Sequence, residues 1–570
     1  MGPRTQSGGF RTTEGTLYVS KPFRSKSSKK LRAMITFAPR KSAFDTTNEF
    51  SGANEFRGFF TLFWISIFLF TIQTYISSFE ANGYALSFAF ATMFSRDAIT
   101  LALSDALLVL TTAICVPFAI LISKGWIRYY STGLIIQHVF QTCMLVTAVT
   151  WTFNRQWPWV QSGYLTLHTL VMIMKMHSYM TINGYLQHVS TRSKELLEDI
   201  RRVTLEVGGW DQALSDAKAR HEETETDAHT TDSNGISTPN DTPAERDGNT
   251  VKSFTDAPTA AALRHRLVAI SGSGNTGVST PSVDPTFMQE SSSPNGNHDY
   301  EIDDPPAYML VDHPDERISA LAKEYKELDS ELVSTGPSRV RWPENISIKN
   351  FALYQLTPTL VYELEYPRTD RIRPLYVFEK TVGFMGTFAL LYSVTENFII
   401  PLTPTPDQSF FRSLLDLALP FMIAYLLLFY IIFECICNGF AELSYFADRQ
   451  FYEDWWNSTS WDEFSRKWNK PVHSFLLRHV YASTLASYKV SRTTAMFVTF
   501  LLSAAAHELV MTVVTKKIRM YLFLLQLIQI PLIMVSRMPA IKRNKLMGNV
   551  VFWLGLYAGF PLLCVAYVAY

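Results

Sequence analysis

The run FLLSAAAHELVMTVV at residues 500–514 is apolar except for a histidine and a glutamate side by side, His507 and Glu508. If the run crosses a membrane from about residue 493, a rise of about 1.5 Å per residue sets His507 roughly 21 Å into a hydrocarbon layer roughly 30 Å thick. An ionisable side chain at that depth costs free energy unless it faces protein or a cavity, so an intramembrane histidine is first a functional candidate. Withdrawn from water, the imidazole stays neutral, the form that takes a proton from a hydroxyl. A histidine hydrogen-bonded between packed helices is the competing reading at this point. Ser503, Ala504, Ala505 and Ala506 are small and let another helix or a substrate come close. Glu508 sits about 100° further round the helix and is expected to pair elsewhere, with no catalytic role.

A second stretch, FADRQFYEDWWNSTSWDEFSRKWNKPVHSFLLRHVY at 446–481, is too polar to span a bilayer yet carries Trp455, Trp456, Trp461 and Trp468. Such rings suit the boundary between water and lipid, where the body is buried and the N–H stays hydrated. Asn457, Asn469 and His473 are candidates for the mouth of a site, and Arg449, Arg466, Lys467, Lys470 and Arg478 are candidates for meeting phosphates. Asn469 and His473 are spaced i, i+4, but Pro471 predicts a helix start between them, so the spacing alone does not give them one face. His473, His479 and His507 come without an HExxH or CxxC pattern, so no metal is expected. Nor is there a GxSxG elbow for a serine hydrolase.

The elements that hold these residues are membrane helices. Charged residues make up 18% of the 570 residues against roughly 25% in soluble domains, and hydrophobic residues 47%, gathered into blocks. Apolar windows of spanning length fall near 58–79, 98–123, 130–152, 160–183, 376–399, 413–436, 493–515, 518–536 and 548–569, which predicts about nine spans. Lys+Arg and Asp+Glu both total 51, which excludes the dominant basic surface that nucleic-acid binding needs. The five cysteines lie in or beside apolar blocks and read as small hydrophobes. The chain divides into a basic cytosolic tail at 1–56, largely disordered and without a cleavable signal peptide, and four spans in 57–190. A cytosolic insert at 191–345, largely disordered, and a membrane core with five spans at 346–570 complete it. From 208 to 305 the insert is rich in Ser, Thr, Asp, Asn, Gly and Pro and is read as disordered, whereas Ile318, Leu321, Tyr325, Leu328 and Leu332 predict a short amphipathic helix. A cytosolic tail puts 124–129, 184–375, 437–492 and 537–547 on the same side, in broad agreement with the positive-inside rule; Lys516, Lys517 and Arg519 run against it.

These stretches resemble the membrane-bound O-acyltransferase family, in the branch that contains sterol and diacylglycerol O-acyltransferases. FYEDWWN at 451–457 matches that branch's FYxDWWN motif, associated with acyl-CoA binding; WNKPVH at 468–473 and SAAAHEL at 503–509 resemble its WN-x-x-V-H element and its active-site histidine segment. MKMHSY at 174–179 and YPRTDRIR at 366–373 also match, so the resemblance covers most of 160–570 outside the insert, and within the branch it looks closest to the fungal sterol enzymes. It implies an all-α, polytopic helical bundle of about nine spans in the endoplasmic reticulum membrane, tending to homodimers or larger assemblies. It implies a tunnel entered by acyl-CoA from the cytosol and by a membrane sterol from the bilayer, with acyl-CoA a substrate and no cofactor. At matched positions it makes His507 the catalytic base and Asn469 the group that polarises the thioester. Phe451, Tyr452, Asp454, Trp455, Trp456, Asn457, Trp468 and His473 become acyl-CoA-binding residues.

The chemistry of the residues agrees: an alcohol needs a base to remove its proton as it attacks, and an amide donor can hold the oxyanion that follows. No Ser or Cys is paired with His507, so direct transfer without an acyl-enzyme is expected. Diacylglycerol acylation is the second enzymatic reading. A lipid transporter is the non-enzymatic one, but it would show a repeated pair of broken spans and no internal repeat is present. The sequon Asn457-Ser458-Thr459 tests the topology: the chain isolated from its membrane is expected to carry no glycan at Asn457, and a glycan found there by mass spectrometry would place the motif in the lumen.

Overall fold

The structure is a computed structural model of the 570-residue chain. It describes residues 37–45, 57–84, 91–92, 95–231, 306–334, 336–405, 408–488, 490–536, 538 and 544–569, with residues 254–255 and a few short pieces before residue 36. Helices dominate, and extended pairing among the described residues is confined to pieces of two to four residues and isolated bridges. Six helices are long and apolar enough to cross a membrane among the described residues: Ala98–Ser123, Tyr129–Asn154, Pro374–Leu402, Phe410–Leu443, Arg492–Thr515 and Lys545–Tyr567.

The other three expected spans are helical but are not among those six. The first falls in Arg57–Asn82. The window at 160–183 opens a helix of 48 residues, Trp159–Glu206, whose length of roughly 72 Å far exceeds a hydrocarbon core. The window at 518–536 yields Tyr521–Ser536, only 16 residues and roughly 24 Å, which is short of a full crossing. Lys517 and the left-handed Lys516 precede it at the end of the histidine helix Arg492–Thr515, so the apolar window was counted through a turn.

The long helix joins two cores. Met172, Met176, Tyr179, Met180, Tyr185 and Leu186 are buried in the main one, with Tyr354, Tyr362, Phe429, Tyr452 and Trp455. Further along, Leu196, Ile200 and Val203 are buried in a second cluster with Ala213, Ala217, Leu310, Ile318, Ala322 and Tyr325. The amphipathic segment is thus the helix Glu316–Glu331, capped by Asp315, whose carboxylate accepts the Arg317 N–H at 2.8 Å. Its apolar face is covered by its own chain. The stretch 208–305 read as disordered begins with the helix Trp210–Thr231, where alanines give a polar sequence its packing stripe; apart from 254–255, residues 232–305 lie outside the described residues.

Residues 37–45 of the basic tail lie across the membrane core. Phe37 is buried edge-on against Tyr366 and Phe446, with ring centroids at 5.4 and 6.1 Å. The Arg40 N–H donates to the Ala447 carbonyl at 3.0 Å and the Arg449 N–H donates back to Arg40 at 2.9 Å, while residues 367–369 pair with 445–447 on the other side. Composition reads this piece as tail because its hold is one aromatic ring and a set of directed polar contacts, neither of which raises hydropathy.

Charge inside the bundle is paired. Glu434, fully buried, accepts from Lys380 Nζ at 2.8 Å and from the hydroxyls of Ser42 and Tyr452. Glu442, also fully buried, accepts from the Arg373 N–H and guanidinium and pairs with Arg449. Replacing Lys380 by Met alone leaves the Glu434 carboxylate facing neutral donors and is expected to cost about 3–5 kcal/mol, whereas Lys380→Met combined with Glu434→Gln is expected to cost less. Thermal unfolding of the three proteins in detergent checks that order.

Candidate active site

The FYEDWWN loop is built around an enclosed ring. Trp455 is 1% exposed, and its centroid lies 5.0 Å from Trp468, 5.3 Å from Phe429, 5.8 Å from Trp553 and 6.1 Å from Tyr425. Trp468 in turn stacks on Tyr425 at 4.7 Å with planes 11° apart. Trp455 is therefore not at a water boundary: its neighbours are other rings, and its N–H has no hydrogen-bond partner among the described residues. Phe451 and Tyr452 are buried with it, and the Tyr452 hydroxyl donates to Glu434 at 3.2 Å. Trp456 turns its carbonyl to Asn549 Nδ2 at 3.0 Å and Trp553 Nε1 at 3.1 Å, tying the loop to the last helix. Asp454 and Asn457 face outward, Asp454 accepting from Lys467 Nζ at 2.9 Å and Asn457 Nδ2 donating to Asp454 at 3.4 Å.

The cations offered to phosphates are mostly already neutralised inside the chain. Arg449 pairs with Glu442 and Arg478 with Glu363; Lys470 pairs with Glu453 at 2.7 Å, and Lys467 with Glu463 at 2.7 Å as well as Asp454. Arg466, 54% exposed, pairs with Asp462 one turn away at 3.0 Å and stays open to solvent. Burial opposes the charge on Lys467, but the hydrogen bonds of Glu463 and Asp454 prevail and hold its ammonium above the usual value. On Lys470, burial and then the Arg40 charge outweigh Glu453 and hold it below. A count of basic residues along the chain does not see the carboxylates that fold onto them.

Asn469 caps a short helix, Lys470–Phe475, with Pro471 in its first turn as the sequence predicts. Its Oδ1 accepts the Val472 N–H at 3.1 Å, which orients the amide and leaves Nδ2 without a partner among the described residues. His473 follows on this turn, half-buried; burial foremost, then the Arg466 charge, push it down to about 4.

Beyond that turn a second group of polar side chains gathers, which the sequence marked only through MKMHSY. His479 Nε2 meets Ser178 Oγ at 2.8 Å, and the same oxygen accepts the Tyr362 N–H at 2.8 Å. The His479 ring lies edge-on to His177 at 5.4 Å, and Gln137 Nε2 donates to His177 Nδ1 at 3.0 Å. Buried Lys175 donates to the carbonyls of Tyr354 and Thr357, both at 2.8 Å. The signal available was the clustering of Gln137, Lys175, His177 and Ser178 within apolar runs.

His507 and Glu508 part company. The histidine helix packs against the long helix, Tyr521–Ser536 and the turn Leu476–Tyr481, and buries Ala504 and Glu508. Glu508 accepts from the Met520 N–H at 2.8 Å, the Phe523 N–H at 3.1 Å and the Tyr567 hydroxyl at 2.8 Å, so it caps the next helix and reaches the last one. His507 stands on the accessible side; the expected withdrawal into protein is not found, because the 100° step from Glu508 turns the ring away from the buried seam. Its Nδ1 meets the Ser503 carbonyl at 2.7 Å. A carbonyl only accepts, so Nδ1 carries the hydrogen, which in the neutral ring makes Nε2 the acceptor. The hydrogen bonds of Asn469 and His507 are each local, and none joins the two. Among the described residues no group of three or more His, Cys, Asp or Glu is placed to hold a metal ion.

The position of His473 has a pH consequence. Its folded value lies below the ordinary one near 6.5, so between these two values the unfolded chain binds the proton that the folded chain refuses. The stabilisation is present above about 6.5 and is lost as pH falls toward about 4. Thermal unfolding across that range is expected to show a decline that His473→Gln flattens.

The MBOAT, membrane-bound O-acyltransferase family, matches residues 88–569. A probable sterol O-acyltransferase 1 of Schizosaccharomyces pombe is 32% identical over 549 residues, covering 94% of this chain and 86% of its own. Sterol O-acyltransferase 2 of Candida albicans is 30% identical over 555 residues, covering 94% and 78%. Diacylglycerol O-acyltransferase 1-2 of Oryza sativa subsp. japonica is 31% identical over 249 residues, only 42% of this chain and 51% of its own. With these matches and a helical membrane architecture in common, the chain belongs to the membrane-bound O-acyltransferase family.

Proposed function

We propose that the chain is an enzyme of the endoplasmic reticulum membrane that transfers a fatty acyl group from acyl-CoA to the 3-hydroxyl of a membrane sterol, forming steryl esters for lipid storage. The observation that carries the mechanism is the bond from His507 Nδ1 to the Ser503 carbonyl: it leaves Nε2 of the neutral ring to take a proton. The sterol as acceptor is supported by relatives named sterol O-acyltransferase that align over 94% of the chain, against 42% for the diacylglycerol relative.

In the proposed reaction the sterol oxygen attacks the thioester carbon as Nε2 removes its proton. The carbonyl oxygen becomes an oxyanion and is held by Asn469 Nδ2, whose amide is already oriented by its cap bond. Collapse of the tetrahedral species breaks the C–S bond, and the imidazolium returns its proton to the departing CoA sulfur. No acyl-enzyme forms and no cofactor takes part. Acyl-CoA arrives from the cytosol along the FYEDWWN loop, with Phe451, Tyr452, Trp455, Trp456 and Trp468 shaping the wall and Asp454, Asn457 and His473 near its rim. The working unit is a homodimer or larger assembly.

General base catalysis contributes roughly 10²–10⁴-fold, so His507→Ala is expected to lower turnover by at least about a hundredfold while acyl-CoA analogue binding and folding persist. Asn469→Ala is expected to lose about as much through the oxyanion. Esterification per folded molecule, measured with sterol and with diacylglycerol, checks both claims: near-normal turnover in folded His507→Ala removes the base, and a preference for diacylglycerol replaces the acceptor.

A further inference from the structure

We propose that residues 37–45 act as a strap that positions the acyl-CoA loop, with Arg40 setting the geometry of Asn469 through Gln450 and Lys470. The proposal rests on the reading of Asn469 as the group that polarises the thioester.

The contacts form a continuous chain. Arg40 Nε donates to Asp448 Oδ1 at 2.9 Å and its terminal nitrogens reach Asp448 Oδ2 and, at 2.9 Å, Gln450 Oε1. The Gln450 oxygen also accepts Lys470 Nζ at 3.0 Å, and Lys470 holds Glu453 at 2.7 Å. The Lys470 N–H closes on the Phe451 carbonyl at 3.0 Å, immediately beside Asn469. One guanidinium therefore braces both the start of the FYEDWWN loop and the residue that follows Asn469. A second anchor lies at Ser42, whose hydroxyl shares Glu434 with the Tyr452 hydroxyl, and a third at Asp45, whose carboxylate meets Arg373 at 3.4 Å.

The geometry of the first anchor is what makes it a positioning device. An arginine fork on a carboxylate fixes angle as well as distance, which a lysine in its place does not. Asp448 is 6% exposed and offers both oxygens to this segment, Oδ1 to the Arg40 Nε–H and, at 3.5 Å, to the Gln450 N–H as well, and Oδ2 to the Arg40 Nη2 group and the Ala38 N–H at 3.3 Å. Among the described residues Asn469 itself has a single side-chain bond, to Val472, so its placement depends on the backbone around Phe451 and Lys470. A displacement of about 1 Å at such a group costs about a hundredfold in rate.

The test compares full-length protein with Arg40→Ala, Arg40→Lys, Ser42→Ala and Asn469→Ala, and with chains lacking residues 1–36 or 1–45, all in the esterification assay. Folding is followed by thermal unfolding. Arg40→Ala is expected to lose about ten- to a hundredfold in kcat with the KM for acyl-CoA changed less than about threefold, and methylguanidinium added to the assay is expected to restore part of the loss. Arg40→Lys and Ser42→Ala are expected to fall between it and the unmodified protein. Removal of 1–36 is expected to keep turnover, and removal of 1–45 to abolish it. If folded Arg40→Ala keeps its kcat while Asn469→Ala loses turnover, the strap is refuted and the oxyanion reading stands. If Asn469→Ala also keeps turnover, both fall together. A loss in Arg40→Ala that matches only the unfolded fraction, with no response to methylguanidinium, refutes the strap as well.

Discussion

One carboxylate organises this molecule. Glu434 is wholly enclosed in the helix Phe410–Leu443, where an unmatched charge would be prohibitive, and it is met by an ammonium from Pro374–Leu402, a phenol from the FYEDWWN loop, a hydroxyl from the N-terminal strap and an amide four residues on, Asn438 Nδ2 at 3.4 Å. Each of those groups lies on a different element. Because a buried charge is stable only when its partners are all in place, the four elements are coupled: none can leave without stranding the carboxylate. Glu442 repeats the device two turns later with Arg373 and Arg449. The same helix thus carries the lock for the loop on one carboxylate and the lock for the YPRTDRIR segment on the other.

What the sequence tells about this architecture follows from the range of the forces involved. Apolar windows report transfer into lipid, a property of each residue by itself, and among the described residues six of them become helices long and apolar enough to cross a membrane. Local backbone chemistry is equally legible: Pro471 and Asn469 mark a helix start, and the structure puts the cap where those residues stand. Glu508, set aside for pairing elsewhere, is found joining three helices. By contrast, Trp455, Arg449 and Arg478 read as facing water, because no motif marks their partners Phe429, Glu442 and Glu363, and Glu363 lies 115 residues from Arg478. Residues 37–45 read as tail for the same reason, as nothing near them announces Asp448 or Glu434.

Two kinds of polar group stand out in the described structure. Lys175, Glu434, Glu442 and Glu508 are saturated by partners and serve the fold. Among the described residues, Asn469 and His507 each make one local side-chain bond, which orients the group and leaves one polar atom unspent. That asymmetry sorts the groups more clearly than burial does, since the accessible histidine keeps an unspent nitrogen and the enclosed glutamate spends both oxygens.

The uninterrupted Trp159–Glu206 helix imposes a register on the gene itself. Its inner part is buried from Met172 to Val189 in the bundle, its outer part from Leu196 to Val203 in the second cluster, and it contains no proline at which a mismatch might be absorbed. One codon inserted between those two seats would turn the outer cluster by about 100° and shift it by about 1.5 Å relative to the bundle. Both faces would then miss their partners at once.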